Sequence, residues 1–163
     1  MTRAPRPRRQ LALWAVAAVC TAGATPAMAA PAPAPSNSHY AVVGVTVPPA
    51  PPGGTTTVNV LVVNNGPDTS ASPHSVRVTL PDGASTPGAT FPSACTTSAQ
   101  GTVVTCTFPP GLPALRTATV LIPVQIAPTA PVHSELSGGW VHLSSADDAV
   151  SPLRDVEFDI VTP

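Results

Sequence analysis

The densest group of chemically capable side chains in the sequence is acidic: Asp147, Asp148, Asp155, Glu157 and Asp159. Ca²⁺ takes several hard oxygen ligands, and turns between the strands of extracellular domains often supply them. Asp147 and Asp148, adjacent in a turn, are the calcium candidates, although no EF-hand-like spacing accompanies them. Asp155, Glu157 and Asp159 alternate with apolar residues instead, as the solvated face of a last strand would, and such a charged row discourages strand addition at an edge. The four histidines, His39, His74, His133 and His142, show neither HxH nor HExxH spacing. They nominate no metal site and read as strand-end or surface residues. Gly83-Ala84-Ser85-Thr86-Pro87-Gly88 approaches a nucleophile elbow, but its second glycine falls one position late and no strand-to-helix setting surrounds it. Serine, histidine and aspartate all occur, yet a triad is a matter of geometry and nothing local nominates its members. No catalytic residue and no cofactor are expected. Trp140 and Tyr40 are the aromatic residues that could offer a ligand, such as a sugar ring, a stacking surface; a place in the core is the competing role.

Cys95 and Cys106 lack the CxxC spacing or neighbouring histidines of a redox or metal pair, so their chemistry depends on compartment. The N-terminal residues speak to that. Arg3, Arg6, Arg8 and Arg9 precede an apolar run from Leu11 to about Ala24, and Ala27-Met28-Ala29 follows. This is the order of a secretory signal peptide over residues 1–29, cleaved before Ala30. The run is about 14 residues, whereas a membrane span takes about 20, so export with removal is expected. Arg8-Arg9 also fits a twin-arginine signal; that route usually serves proteins folded around a cofactor, and the general secretory route is preferred. Cys20 belongs to the signal, and Val19 before it does not make a lipobox. In an oxidising compartment Cys95 and Cys106 then pair as a disulfide. Closing a loop of about 12 residues stabilises by on the order of 3 kcal/mol in the chain-entropy model.

The chain has 163 residues and no lysine. Four of its seven arginines lie in the signal, leaving three against eight carboxylates, a formal charge of −5. Such a surface repels nucleic acid and anionic lipid, which excludes both as expected partners once the signal is removed. The remainder has the length of one domain with one core.

The alternation of Ala and Pro over residues 30–38 has nothing to bury and reads as a flexible, solvated leader. The domain then runs over residues 39–163 as short β-branched runs in alternation, stopped by Pro, Gly or Asn. Val43, Val45 and Val47 are expected on one face of the first run. Val58, Val60 and Val62 line the second, whose opposite face is apolar enough for a central strand. Val76, Val78 and Leu80 follow, then a short run near residues 90–95, then Val104, Cys106 and Phe108, which place Cys106 on the core side. Residues 115–126 put Ala118, Val120, Ile122, Val124 and Ile126 inside; Pro123 lacks an N–H and implies an edge position or a bulge. Residues 139–144 hold Trp140, and residues 154–161 put Val156, Phe158 and Ile160 inside. Seven to eight such strands with polar turns and no helical period describe an all-β, antiparallel β-sandwich with Greek-key connections.

The turn Asn64-Asn65-Gly66-Pro67-Asp68, the turn Leu80-Pro81-Asp82-Gly83 and the strand Thr105-Cys106-Thr107 occur in the order seen in a bacterial surface repeat. The chain from about 39 to 161 resembles that family, catalogued as domain of unknown function eleven. The resemblance implies an immunoglobulin-like sandwich, in the style of cell-adhesion repeats, in secreted and wall-associated proteins, with no catalytic residues to carry over. One copy is expected here rather than a tandem array. No Leu-Pro-x-Thr-Gly motif follows Val161, and without lysine a Lys–Asn isopeptide brace cannot form.

The expected function is therefore a secreted, non-enzymatic module for surface contact, adhesion or cell-envelope structure, extracellular or loosely wall-associated. Its partner would be a protein or polysaccharide of the envelope. The alternatives are a carbohydrate- or peptidoglycan-binding module using Trp140 and, behind it, a small secreted hydrolase or inhibitor.

Overall fold

Alternating β-branched residues give one apolar face per run, and two such faces bury each other. In the computed structural model, which describes residues 36–147 and 154–163, they form nine strands. These are β1 (Tyr40–Thr46), β2 (Thr55–Asn64), β3 (His74–Thr79), β4 (Ala84–Ser85), β5 (Cys95–Thr97), β6 (Val103–Phe108), β7 (Thr117–Ile126), β8 (Ser134–Ser145) and β9 (Asp155–Thr162). The expected signal peptide, the leader as far as residue 35, and Asp148 lie outside the described residues.

One sheet has the order β1-β2-β7-β4 and the other β5-β6-β3-β8-β9, with every pairing antiparallel. The order β1-β2-β7 facing β6-β3-β8-β9 is the A-B-E against C′-C-F-G order of an immunoglobulin-like sandwich. Between the sheets Val58, Val60 and Val62 of β2 and Val120, Ile122, Val124 and Ile126 of β7 are wholly buried, as are Val76, Val78, Val104, Cys106, Val141 and Ile160 of the opposite sheet. Burying each such side chain contributes about 1.5–3 kcal/mol, so this layer dominates the stability.

The central position expected for β2 is observed, between β1 and β7. Pro123 also sits as its missing N–H requires. Leu121 of β7 exchanges two backbone hydrogen bonds with Phe91 on the side away from β2. Pro123, two residues on, turns its nitrogen to that same side, in the gap before β4 pairs with Gln125 and Ile126. No ladder bond is lost there.

Four expectations about strands need correction. Nine strands are present among the described residues where seven or eight are expected, because β4 is only two residues long and the run near 90–95 resolves into a single bridge at Phe91 and the separate β5. Val43 does not share a face with Val45. A bulge between Val42 and Gly44 shifts the register, so Tyr40 and Val42 face the core, Val43 is 50% exposed, and Val45 packs against the core again. The strand holding Trp140 starts at Ser134, five residues before its expected beginning, and carries a bulge of its own between Leu136 and Gly139. Finally, the folded part reaches back to Ser36 rather than beginning at His39, because Ser38 is fully buried and hydrogen-bonded.

Candidate functional site

The five-stranded sheet keeps its outward face uncovered by any other described strand, and its pairing register fixes which side chains stand together there. One row across it runs Thr105, Arg77, His142, Asp155; the next runs Val103, Thr79, Trp140, Glu157. His142 and Asp155 are each about half exposed, and His142 Nδ1 lies 2.5 Å from Asp155 Oδ1. Trp140 is 37% exposed, so its ring is presented on the surface and not built into the core. The β8 bulge contributes to this placement, since bulges re-aim the side chains that follow them. Gly138 supplies the positive φ of 91° within the bulge, and Gly139 after it allows close pairing: a Cβ there would lie inside the Phe158 carbonyl oxygen and 2.8 Å from the Phe158 ring. Asp155, Glu157 and Asp159 are exposed on β9, an edge strand, as their alternation implies.

Tyr40 does not join Trp140. It is 1% exposed, inside the sandwich, with its ring 4.5 Å from that of His74. A two-aromatic stacking platform is therefore not formed, because Tyr40 opens β1 on the core side of the bulge, whereas Trp140 lies on the outer face of the other sheet.

The disulfide is present as expected. Cys95 and Cys106 are directly paired residues of β5 and β6, with Cα atoms 4.0 Å apart, and Cys106 is fully buried.

Asp147, one of the two calcium candidates, is a hydrogen-bond acceptor in the fold. Its Oδ2 accepts hydrogen bonds from the backbone N–H groups of Ala71 and Ser72, both at 2.7 Å, and from the hydroxyls of Ser36 at 2.9 Å and Ser38 at 3.4 Å. This oxygen is a fastener between the start of the domain, the 70–72 turn and the end of β8. Burial raises its pKa, but the hydrogen bonds from Ser72, Ser36 and Ala71 outweigh that and lower it from 3.8 to about 2. A carboxyl with a depressed folded-state pKa contributes stability that is complete above about pH 4 and is lost as pH falls toward 2. The site is partly solvated, so the contribution is discounted to about 1 kcal/mol. Asp147→Asn is expected to lower the unfolding free energy by that amount at pH 7 and to flatten its decline below pH 4, as read from urea titrations at a series of pH values.

Two further polar residues at this end escape the sequence reading. Asn64 is fully buried and makes four hydrogen bonds: its Oδ1 accepts from the N–H groups of His39 and Gly66, and its Nδ2 donates to the carbonyls of Asp68 and Leu112. His74 is 2% exposed, not a surface residue, with its ring between those of Tyr40 and Phe108. The signal was available. Extending the inward alternation Val58, Val60, Val62 by one step reaches Asn64, and running Leu80, Val78, Val76 backward reaches His74.

No family model matches the chain, and neither does any curated protein. Among solved structures, a major pilin subunit of Bacillus cereus superposes with a TM-score of 0.53 at 13% identity over 77% of this chain. The fold is shared. The chain spans 40% of that pilin subunit's length. An uncharacterised Nocardia farcinica protein with an immunoglobulin-like fold matches at 17% identity, covering 72% of this chain and 96% of its own, with a TM-score of 0.46. AvmM, which catalyses macrocyclization in alchivemycin A biosynthesis, matches at 13% identity and a TM-score of 0.35, over 78% of this chain and 90% of its own.

Proposed function

We propose that this protein is a secreted, non-catalytic module that makes surface contacts in the cell envelope through the outer face of its five-stranded sheet. The observation that carries the reading is Trp140, exposed beside Thr79 and Glu157 on a face that no described element covers. Exposed tryptophans at the centre of a contact face are the side chains whose truncation most often weakens binding. Support comes also from the signal-peptide pattern, the disulfide, which suits an oxidising compartment, and the resemblance to bacterial surface repeats. A polysaccharide or peptidoglycan ligand is the second reading. It is favoured by the same ring, which can stack on the apolar face of a sugar while Arg77, His142 and Glu157 take its hydroxyls.

The expected result is retention of the purified mature protein on whole cells or envelope fractions. Trp140→Ala should reduce that retention by roughly 10-fold or more, the effect of losing a hot-spot side chain, with unchanged thermal stability. A change in tryptophan fluorescence on adding purified polysaccharide or peptidoglycan would select the second reading. Protein that binds neither cells nor envelope, yet turns over ester or glycoside substrates or inhibits a protease, would overturn both.

A further inference from the structure

We propose that His74 is the trigger of an acid-sensitive latch, whose protonation releases the stretch from Ser36 to Val42 while the remaining strands of both sheets stay paired. His74 opens β3, the middle strand of its sheet, and is 2% exposed. Neither of its ring nitrogens has a hydrogen-bond partner among the described residues. Tyr40 and Phe108 stack on it with ring centroids 4.5 Å and 4.8 Å away. This enclosure suits a neutral imidazole and rejects an imidazolium, which needs water or an anion around it.

Among the described residues, the elements packed on the ring supply no such anion. β1 brings the Tyr40 phenol, with His39 beside it in sequence. β6 brings Phe108 and Thr107, and β8 brings Ser145, which pairs with His74 in the ladder. The 109–112 loop and Ala118 carry no titratable group, and Arg116, two residues before Ala118, is a cation. The nearby carboxylate beyond β8, Asp147, already has Oδ2 committed to Ala71, Ser72, Ser36 and Ser38. Burial accordingly lowers the His74 pKa from 6.5 to about 4. Closed protein holds the ring neutral and opened protein lets it charge, so the His74 contribution to opening grows progressively as pH falls from 6.5 to about 4 and levels off below that.

The ladder determines where the domain opens. Phe108 closes β6, which lies between β5 and β3 and is tied to β5 by the Cys95–Cys106 disulfide two residues before it. Tyr40 belongs to β1, an edge strand paired only with β2, and the bulge after Val42 cuts off a segment with three paired positions. Two surface grooves of about 360 and 210 Å³ already reach His74 from either side of the β3 start. Lifting Tyr40, on an edge strand, is the opening that hydrates the ring, and the polar contacts of Ser36, Asn37, Ser38 and His39 with Asp147, Asp68 and Asn64 go with it.

Amide hydrogen exchange of the full mature protein, expressed as protection factors at a series of pH values, tests this. Between pH 6.5 and 4 the protection of His39 to Val42 should fall roughly 100-fold, from the displacement of one pKa, while Val60 and Val120 hold theirs. In His74→Phe, which keeps the aromatic stack, the fall should vanish. Loss of protection in all strands together, or the same fall in His74→Phe, overturns the proposal. Should the variant not fold, the wild-type His74 ring nitrogens followed by NMR decide: titration near 4 supports the latch, and titration at the ordinary 6.5 overturns it.

Discussion

Gly66→Ala is expected to destabilise the domain by about 3 kcal/mol, the upper range for forcing atoms into a packed site. A Cβ at this position would fall inside the carbonyl oxygen of Asn37 and lie 2.6 Å from both His39 N and Ser38 Cα. Every one of these obstacles is backbone, so no side chain can swing aside. Relief requires the 36–39 stretch to move away, and with it the hydrogen bonds from His39 and Gly66 to Asn64 Oδ1. The same substitution at Gly44 or Gly88, where an added methyl meets nothing within 4 Å, should change stability by less than about 0.5 kcal/mol, as at ordinary surface positions. Urea midpoints at constant slope would show the difference. A Gly66→Ala effect as small as the two controls would mean that residues 36–39 do not pack across the turn.

Asn64→Ala is expected to cost about 3–4 kcal/mol. The side chain is fully buried and uses two acceptor and two donor positions on four backbone groups of three separate segments. Its removal leaves the His39 and Gly66 N–H groups and the Asp68 and Leu112 carbonyls short of partners, each worth about 1 kcal/mol or more when buried. Asn64→Asp separates the two halves of the role. It keeps the acceptors and turns the donor end into an oxygen facing two carbonyls, which disfavours the charged form and raises the carboxyl pKa above its ordinary value. A raised carboxyl penalises folding above its unfolded pKa, so this variant should gain stability relative to wild type as pH is lowered toward 4. Thermal unfolding of the three proteins at pH 7 and pH 4.5 would check both statements; equal losses for Asn64→Asp at the two pH values would remove the electrostatic explanation.

Both substitutions fall in the turn Asn64-Asn65-Gly66-Pro67-Asp68. Here the motif has a local physical meaning: Asn64 ties the turn to the 36–39 stretch and to Leu112, and Gly66 lets that stretch cross it. Two of the groups Asn64 satisfies, on Gly66 and Asp68, lie within the turn, but the other two are 25 and 48 residues away and are not visible in the motif itself.

The sequence by itself determined the all-β sandwich, the faces of β2, β3, β6, β7 and β9, and which two cysteines pair. Those features follow from a period of two, from breakers at fixed places and from counting, all of which are local. Only the tertiary structure decided the rest. A bulge adds one residue without any composition signature and reverses every side chain after it. That is why Val43 leaves the core while Tyr40 enters it. The number of strands rested on β4, whose two residues pair only because Ile126 and Gln125 are beside them. In the sequence Asp147 is one carboxylate of an acidic turn, and its role as hydrogen-bond acceptor exists only once folding brings Ser36, Ala71 and Ser72 to it. Trp140 could be core or surface until the pairing of β8 with β3 and β9 placed it on the outer face, and burial against distant partners, not residue type, made that choice.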